Sequence, residues 1–206
     1  MKEININEWA RKEQYHFFKD FMDPIMGATS NIECTQLFLS SKEKNESFFI
    51  HYMHKALMAI NKISEFKLRI VNDKVVQYPV INGTTTVFKE NKTFSFCYFQ
   101  YHENFKNFYQ ETEKALLIAK SSKQLEDKPI MDLIHVSVIP WRSFTCIKHP
   151  RTEGNTDCIP KIVFGKVFKN ANNYYMPVSV EAHHALVDGY HVCDFFNQFE
   201  KLMTKP

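Results

Sequence analysis

The residues best suited to chemistry lie near the C-terminus, where two adjacent histidines precede an aspartate and a glycine. His183 and His184 follow a run typical of a strand (176–182), and Asp188-Gly189 is a place where a helix can begin. This spacing brings the imidazole of His184 close to the carboxylate of Asp188. A histidine has a pKa near neutrality, so it can take a proton from a hydroxyl that attacks a carbonyl. The carboxylate, stabilised by backbone N–H groups at a helix start, can anchor the turn that orients the ring.

Two other interpretations of this motif stay open on spacing alone. The histidines can be ordinary turn residues, with Asp188 acting only as an N-cap, and this is the more common meaning of such a pattern. They can also be metal ligands. Against zinc, His183 and His184 point to opposite sides if the strand continues, and no third ligand of suitable spacing is evident.

The elements that must position this motif include four predicted helices, each recognised by apolar positions that repeat with the period of one helix face. Asn7 is suited to cap the first helix, and Pro24 lies just past its end. The last helix begins near Asp188 and therefore fixes the C-terminal side of the histidine turn. The predicted helices span residues 7–22, 47–63, 103–119 and 188 onward.

Seven segments rich in β-branched and aromatic residues are predicted strands. Asn72-Asp73, Asn82-Gly83 and Asn91-Lys92 are typical hairpin turns, so we expect a mainly antiparallel sheet. Helices packed on such a sheet give an α+β fold, a mixed two-layer architecture, and no linker divides the chain, so one domain is expected over residues 1–206. The predicted strands are 66–71, 75–80, 84–88, 93–98, 133–139, 161–168 and 174–181.

Composition narrows the class of protein. Aromatic residues make up 15% of the chain, including 19 Phe and 9 Tyr, which is more ring area than the core of a 206-residue domain needs. A pocket lined by rings or a large subunit interface would use the excess. The net charge is only +3, with both signs intermixed, so a nucleic acid partner is not expected.

Cysteine usage and hydropathy indicate the compartment. The five cysteines are scattered and never occur at the two-residue spacing of a zinc or redox site, which favours a reducing environment. The N-terminus is too polar for a signal peptide, and no stretch approaches the roughly 18 apolar residues that a membrane span requires. We therefore expect a cytoplasmic protein that does not associate with a membrane.

The motif His-His-Ala-x-x-Asp-Gly-Tyr-His, preceded by Met-Pro-Val-Ser-Val and followed by Asn-x-x-Glu, resembles the C-terminal signature of the type A chloramphenicol acetyltransferases. Its short His-x-x-x-Asp-Gly core is shared with other CoA-dependent acyltransferases, but the resemblance covers most of the chain in the family's order. The further matching segments are Trp9-x-Arg11-Lys12-Glu13 with Phe17 and Phe18, Phe66-x-Leu68-Arg69, Thr86-Val87-Phe88, Thr93-Phe94-Ser95 and Pro140-Trp141-x-x-Phe144.

The resemblance implies a role for each matching residue. His184 would be the general base that deprotonates a hydroxyl of chloramphenicol for direct attack on the thioester of acetyl-CoA, without an acyl-enzyme. Asp188 corresponds to a structural aspartate that pairs with Arg11, and Lys166 to a residue that contacts CoA. Both the Lys166 position and the acceptor-pocket positions can equally be ordinary surface or core residues. The implied acceptor pocket consists of Phe17, Phe18, Met22, Phe94, Phe144 and Val163.

The resemblance also implies an assembly and a biological role. The family forms a homotrimer with each active site at a subunit boundary, which would use the excess of aromatic side chains. Acetylation would remove a hydrogen-bond donor from chloramphenicol and add bulk, so antibiotic resistance is the expected role.

Three positions depart from the family pattern. Cys146 stands where the family has a serine whose hydroxyl stabilises the oxyanion, and a thiol is a weaker donor. Cys146 can alternatively be a small buried residue or a nucleophile. Val163 replaces a threonine, and Phe18 replaces the usual tyrosine of the acceptor pocket. The segment 148–158 also differs from the family's Asn-rich stretch, so the acceptor side is the altered one.

Three rival functions stay open, and the departures favour the first of them. The chain could acetylate another small hydroxyl compound and handle chloramphenicol poorly, or it could be a trimer that binds ligands without catalysis. It could also be the catalytic core of a larger acyl-transfer complex, although we find no lipoyl or peripheral-binding domain in the sequence.

Overall fold

The computed structural model describes residues 1–151 and 157–205, so the middle of the divergent segment 148–158 lies outside the described residues. The described part contains ten strands and five α-helices. In chain order these are β1 (Lys2–Glu3), α1 (Lys12–Phe18), β2 (Ile25–Glu33), α2 (Thr35–Glu43), α3 (Phe48–Lys62), β3 (Leu68–Val71), β4 (Lys74–Gln77), β5 (Asn82–Phe88), β6 (Phe94–Phe99), α4 (Phe105–Ser121), β7 (Leu133–Ile139), β8 (Lys161–Gly165), β9 (Phe168–Asn170), β10 (Asn173–His183) and α5 (Gly189–Met203).

Two sheets form the β-layer. The larger has the strand order β2-β10-β8-β7-β5-β6, with β9 paired to β10, and the smaller has the order β1-β4-β3. In the larger sheet β7 runs parallel to both β5 and β8, and the other pairs are antiparallel. The predicted α+β class with a largely antiparallel sheet is therefore confirmed.

The helices form a second layer around α3, which contacts α2, α4 and α5. Ser47 caps α3 by accepting a hydrogen bond from the backbone of Ile50, and the apolar positions that follow keep a helical period. Met53, Leu57 and Ile60 are fully buried, and each such side chain contributes about 1.5–3 kcal/mol of apolar burial. No helix in residues 1–151 or 157–205 is long and apolar enough to cross a membrane.

The strand that positions the functional residues is β10, which pairs with β2 over nine residue pairs. Val178, Val180 and Ala182 alternate along it and lie in the apolar core shared with the helices. The residues between them point to the opposite face, where Glu181 contacts the segment that connects β7 to β8. Consequently β10 touches both the helix layer and the long irregular connection.

Several predicted boundaries are wrong for identifiable reasons. The first helix covers only α1, because Trp9 takes an extended backbone conformation that separates it from a short 3-10 turn capped by Asn5. Asn82-Gly83 is not a turn but the start of β5. A Cβ on Gly83 would lie 2.4 Å from the ring of Phe99, so this glycine permits a close contact across the strands.

Three elements were absent from the prediction altogether: the two-residue β1, β2 and α2. The sequence of β2 contains Gly, Ala and Asn, which carry little strand propensity, and its pairing with β10 forms it instead. The turn Asn72-Asp73 is confirmed, because both residues have the positive φ angles that a tight hairpin requires.

Candidate active site

The predicted turn between strand and helix lies between β10 and α5. The backbone N–H of His184 donates to the carbonyl of Pro24 at 2.7 Å, which ties the turn to the segment before β2. Asp188 caps α5, since its Oδ1 accepts a hydrogen bond from the backbone N–H of Tyr190 at 3.1 Å. The motif is therefore fixed on both sides by hydrogen bonds.

The ring of His184 has a defined tautomer. Its Nδ1 lies 3.1 Å from the carbonyl oxygen of Val187, and because a carbonyl can only accept, Nδ1 carries the hydrogen. The Nε2 lone pair is then available, and no hydrogen bond to Nε2 is found in the described part of the chain. Phe18 of α1 stacks on the imidazole with a centroid distance of 3.9 Å and an interplanar angle of 18°. The half-buried ring is thus oriented to accept a proton.

Arg11 and Asp188 form an ion pair, as the resemblance implies. The same guanidinium donates to the carbonyl oxygen of His184 at 3.3 Å, so Arg11 contacts both ends of the turn. Partial burial opposes ionisation of Asp188, but the hydrogen bond and charge of Arg11 outweigh it and hold the pKa of that carboxyl below its ordinary value. The pair joins the start of α1 to the start of α5.

The first histidine of the motif has a different position. His183 is 1% exposed, and its Nδ1 accepts a hydrogen bond from the backbone N–H of Ala185 at 3.2 Å. It therefore points away from the solvent side on which the His184 ring lies. Within residues 1–151 and 157–205, no group of three His, Cys, Asp or Glu residues is arranged to hold a metal ion.

An exposed apolar cluster surrounds the base. Phe17, Phe18 and Phe21 are in mutual ring contact, with centroids 4.9–5.3 Å apart, and Phe17 is 64% exposed. Met22 is 97% exposed. Phe21 was not among the predicted site residues, although its place four residues after Phe17 could have indicated it. An apolar cluster of this kind beside a catalytic group is typical of a binding or subunit surface.

A second group of predicted residues lines a groove of about 740 Å³ on the sheet. Phe94 and the exposed Lys166 lie here, together with Trp141, which contacts Phe88 at a ring distance of 5.1 Å. The sequence motif contained Trp141 without assigning it a role. Further lining residues are Phe48, Phe49, Tyr52, Thr86, Lys92, Leu116 and Met176.

Phe144 and Val163 are covered to different degrees. Phe144 is half-buried and packs over Gly165, where a Cβ would lie 2.9 Å from its ring. Val163 has no exposed surface and pairs with Ser179 of β10. The predicted acceptor contact of Val163 is therefore not open in this structure, because its side chain is fully buried.

Cys146 is exposed, so the interpretation of it as a small buried residue is wrong. It lines a polar cleft of about 340 Å³ together with Thr29, Ser179 and Glu181. Across the described residues no hydrogen bond joins the Cys146 thiol to a histidine, which gives no support to a nucleophilic cysteine. Its role as a weak oxyanion donor stays a prediction.

The base and the groove lie at opposite ends of β10. The groove residue Met176 and His184 are eight positions apart along this strand, which corresponds to about 26 Å at the rise of an extended chain. The structure thus separates the predicted site residues. The base group contains Arg11, Phe17, Phe18, Met22, His184 and Asp188. Of the others, Phe94 and Lys166 line the groove, Phe144 packs over the groove residue Gly165, Cys146 lines the separate cleft beside Ser179 and Glu181, and Val163 is buried.

Comparison with known proteins shows which family this chain resembles over its whole length. A chloramphenicol acetyltransferase of Clostridium butyricum is 31% identical over 205 residues, covering 97% of this chain and 93% of that protein. One of Clostridium perfringens is 32% identical over 207 residues, covering 98% and 94%. A solved chloramphenicol acetyltransferase structure aligns with a TM-score of 0.88 at 31% identity, covering 98% of this chain and 99% of that one.

More distant structures share the fold alone. A dihydrolipoamide acetyltransferase of Azotobacter vinelandii aligns with a TM-score of 0.66 at 12% identity, over 94% of this chain and 86% of that one. The family model described as chloramphenicol acetyltransferase matches residues 1–200. With this match and the two relatives above 30% identity, the chain belongs to the chloramphenicol acetyltransferase family of acyltransferases.

Proposed function

We propose that this protein is an acetyl-CoA-dependent O-acetyltransferase that acetylates a hydroxyl of chloramphenicol and so gives resistance to that antibiotic. The observation that carries the proposal is His184, whose Nδ1 donates to a backbone carbonyl and whose Nε2 is left as a proton acceptor beside exposed apolar rings. The curated relatives that match almost the whole chain are named for the same activity.

The proposed reaction is a direct transfer. His184 Nε2 takes the proton of the acceptor hydroxyl as its oxygen attacks the thioester carbonyl. A donor at Cys146 stabilises the resulting oxyanion. The C–S bond then breaks, and the imidazolium returns the proton to the departing CoA sulfur. Arg11 and Asp188 do not move protons in this scheme, but they hold the turn that carries the base.

The groove suits the two substrates. Its apolar walls can hold the uncharged parts of acetyl-CoA and of chloramphenicol, while Lys166 at its edge can pair with a phosphate of CoA. The groove and the base are about 26 Å apart along β10, so a hydroxyl held in the groove is out of reach of the base of the same chain.

The separation supports a homotrimer in which the base group of one subunit faces the groove of the next. The exposed cluster of Phe17, Phe21 and Met22 would then be covered by the neighbouring subunit. We further propose that the trimer works in the cytoplasm, since the five cysteines are all unpaired thiols, as a reducing compartment would keep them.

Release of free CoA thiol from acetyl-CoA, with and without chloramphenicol, tests the activity. We expect drug-dependent release together with a product heavier than chloramphenicol by one acetyl group. Release with other alcohols but not with chloramphenicol would replace the acceptor while keeping the chemistry. A complete lack of release with every alcohol, together with unmodified bound drug, would favour a ligand-binding protein.

A mixing experiment tests the shared site. His184→Ala removes the base, and Phe94→Glu puts a charge into the apolar groove at a position that is 44% exposed. Each variant alone is expected to be nearly inactive. After joint unfolding and reassembly, mixed trimers should recover activity at interfaces that combine an intact His184 with an intact Phe94 from different chains. If each site lay within one chain, the mixture would stay inactive.

A further inference from the structure

A single carboxylate oxygen holds the C-terminal end of the segment that carries Cys146. Glu181 Oε2 accepts hydrogen bonds from the guanidinium of Arg151 at 2.8 Å, and from the backbone N–H of His149 at 3.4 Å. The ring Nδ1 of His149 lies 3.0 Å from the same oxygen. Glu181 is on β10 and only 8% exposed, which makes these contacts stronger than they would be in water.

The segment needs this attachment because it has little regular structure of its own. Residues 140–151 follow β7 without forming a helix or strand, and Cys146 lies exposed in their middle. At the N-terminal end, the backbone N–H of Lys166 donates to the carbonyl of Arg142 at 3.1 Å. Cys146 therefore lies between a backbone hydrogen bond on one side and Glu181 on the other.

The charges around Glu181 balance. Arg151 also lies 3.5 Å from Asp157, and Asp157 forms an ion pair with Lys161. Two carboxylates thus face two cations in a mostly buried group, with His149 beside them. Among the described residues, removing the negative charge of Glu181 alone would leave the longer contact to Asp157 as the remaining ion pair of Arg151.

We infer that Glu181 is a positioning residue: it fixes the segment of residues 140–151 so that the Cys146 side chain is held where the oxyanion forms. The inference rests on the proposed function for its catalytic consequence, but its structural part concerns only the position of Cys146. Glu181 lies in β10, and His184 directly follows the end of that strand. The same strand therefore positions the base at its end and the oxyanion donor through the buried carboxylate of Glu181.

The test uses Glu181→Gln, which keeps the shape and removes the charge. The matched control is Glu200→Gln, because the Glu200 carboxylate accepts a backbone hydrogen bond from Glu33 on the helix side of the sheet at 2.8 Å. Both changes are made in a Cys193→Ser background, so that Cys146 is the exposed thiol that reacts. The measurements are the labelling rate of Cys146 by a small alkylating reagent, the kcat and KM for each substrate, and the unfolding midpoint.

We expect Glu181→Gln to raise the Cys146 labelling rate several-fold and to lower kcat about 10- to 100-fold, with both KM values within about threefold. Glu200→Gln should change neither labelling nor kcat. Arg151→Gln should resemble Glu181→Gln, and the double variant should be no worse than either single one.

Unchanged labelling in Glu181→Gln would overturn the inference, and so would faster labelling with an unchanged kcat. Equal effects in Glu200→Gln would also overturn it, since the cause would then be general loss of stability. If the parent enzyme releases no CoA with any acceptor, the proposed function fails, but the labelling rates still decide whether Glu181 holds Cys146.

Discussion

The two halves of the proposed site are built in different ways. The base half is a short turn in one continuous motif, in which the ring, the cap and the backbone of residues 183–191 are fixed by hydrogen bonds to near neighbours and to Arg11. The other half, the groove half, consists of the groove and of the irregular segment 140–151, which runs from the groove to the cleft of Cys146 and is held by groups far away in the sequence. The departures from the family pattern include Cys146 on this segment and Val163, which pairs with the cleft residue Ser179. We therefore expect the base half to set the reaction class and the groove half to set the acceptor and the rate.

The largest expected effect comes from removing the base. His184→Ala should lower kcat by about 10²- to 10⁴-fold, the range for a positioned general base, while the affinity for chloramphenicol changes little. CoA release and equilibrium binding of the drug measure the two quantities. The matched variant His183→Asn, at the buried neighbour, should instead reduce stability. A loss of less than tenfold in His184→Ala would mean that another group accepts the proton.

Breaking the Arg11–Asp188 pair should have the next largest effect. The side chains are 12% and 33% exposed, so Arg11→Gln should lower the free energy of unfolding by about 1–3 kcal/mol, less than a fully buried pair would lose. Denaturant unfolding measures the change. As a control, Lys74→Gln breaks the exposed pair with Glu3 and should change the stability by no more than about 0.5 kcal/mol. Equal effects in both variants would contradict a special role for the buried pair.

The same pair predicts a pH dependence. Arg11 holds the folded-state pKa of Asp188 below its ordinary value, so the stabilisation is fully present above the unfolded pKa of about 4. It is lost as the pH falls through the lowered folded-state pKa. The stability difference between the parent protein and Arg11→Gln should therefore be constant near neutrality and shrink in acid. A difference that grows as the pH falls below about 4 would contradict the assignment.

Much of the fold was predictable from the sequence, and the exceptions have a common cause. Helices α3, α4 and α5 and strand β7 follow periodic patterns that their own residues impose. In contrast, β2 consists largely of small and polar residues and is formed by pairing with β10. Gly83 resembled a turn residue, but its lack of a side chain admits the ring of Phe99. Elements whose conformation depends on a distant partner were the ones that local patterns missed.

The site residues show the same difference between features that local patterns indicate and features that depend on a distant partner. His184, Asp188 and Arg11 were predicted from the motif and the resemblance, and the structure places them in contact. Phe21 and Glu181 were not predicted, because their importance comes from what lies beside them in the fold. A glutamate inside a strand gives no signal in sequence that it will accept hydrogen bonds from residues 149 and 151.

Restoring the family's hydroxyl tests the groove half directly. Cys146→Ser replaces a weak thiol donor by a better one at an exposed position, so kcat should rise about tenfold, with KM nearly unchanged. Cys193→Ser, the same change at another exposed cysteine, should leave the rate unaltered. A lower rate in Cys146→Ser would show that the chain already uses another oxyanion donor and that the thiol has a different role.

The smallest expected effect concerns Phe18, which stacks on the base and which the family resemblance assigns to the acceptor pocket. Phe18→Leu removes the ring that stacks on His184 at 3.9 Å, and the loss of about 0.5–1.5 kcal/mol should lower kcat about 2- to 10-fold. Phe18→Tyr keeps the ring and adds a hydroxyl, so kcat should stay within about twofold while the KM for the acceptor changes. Steady-state kinetics with chloramphenicol measure kcat and KM and so distinguish the effects of the two variants. If Phe18→Leu altered only KM, the ring would be a wall of the acceptor pocket alone, and the orientation of the base would depend on the Val187 carbonyl without it.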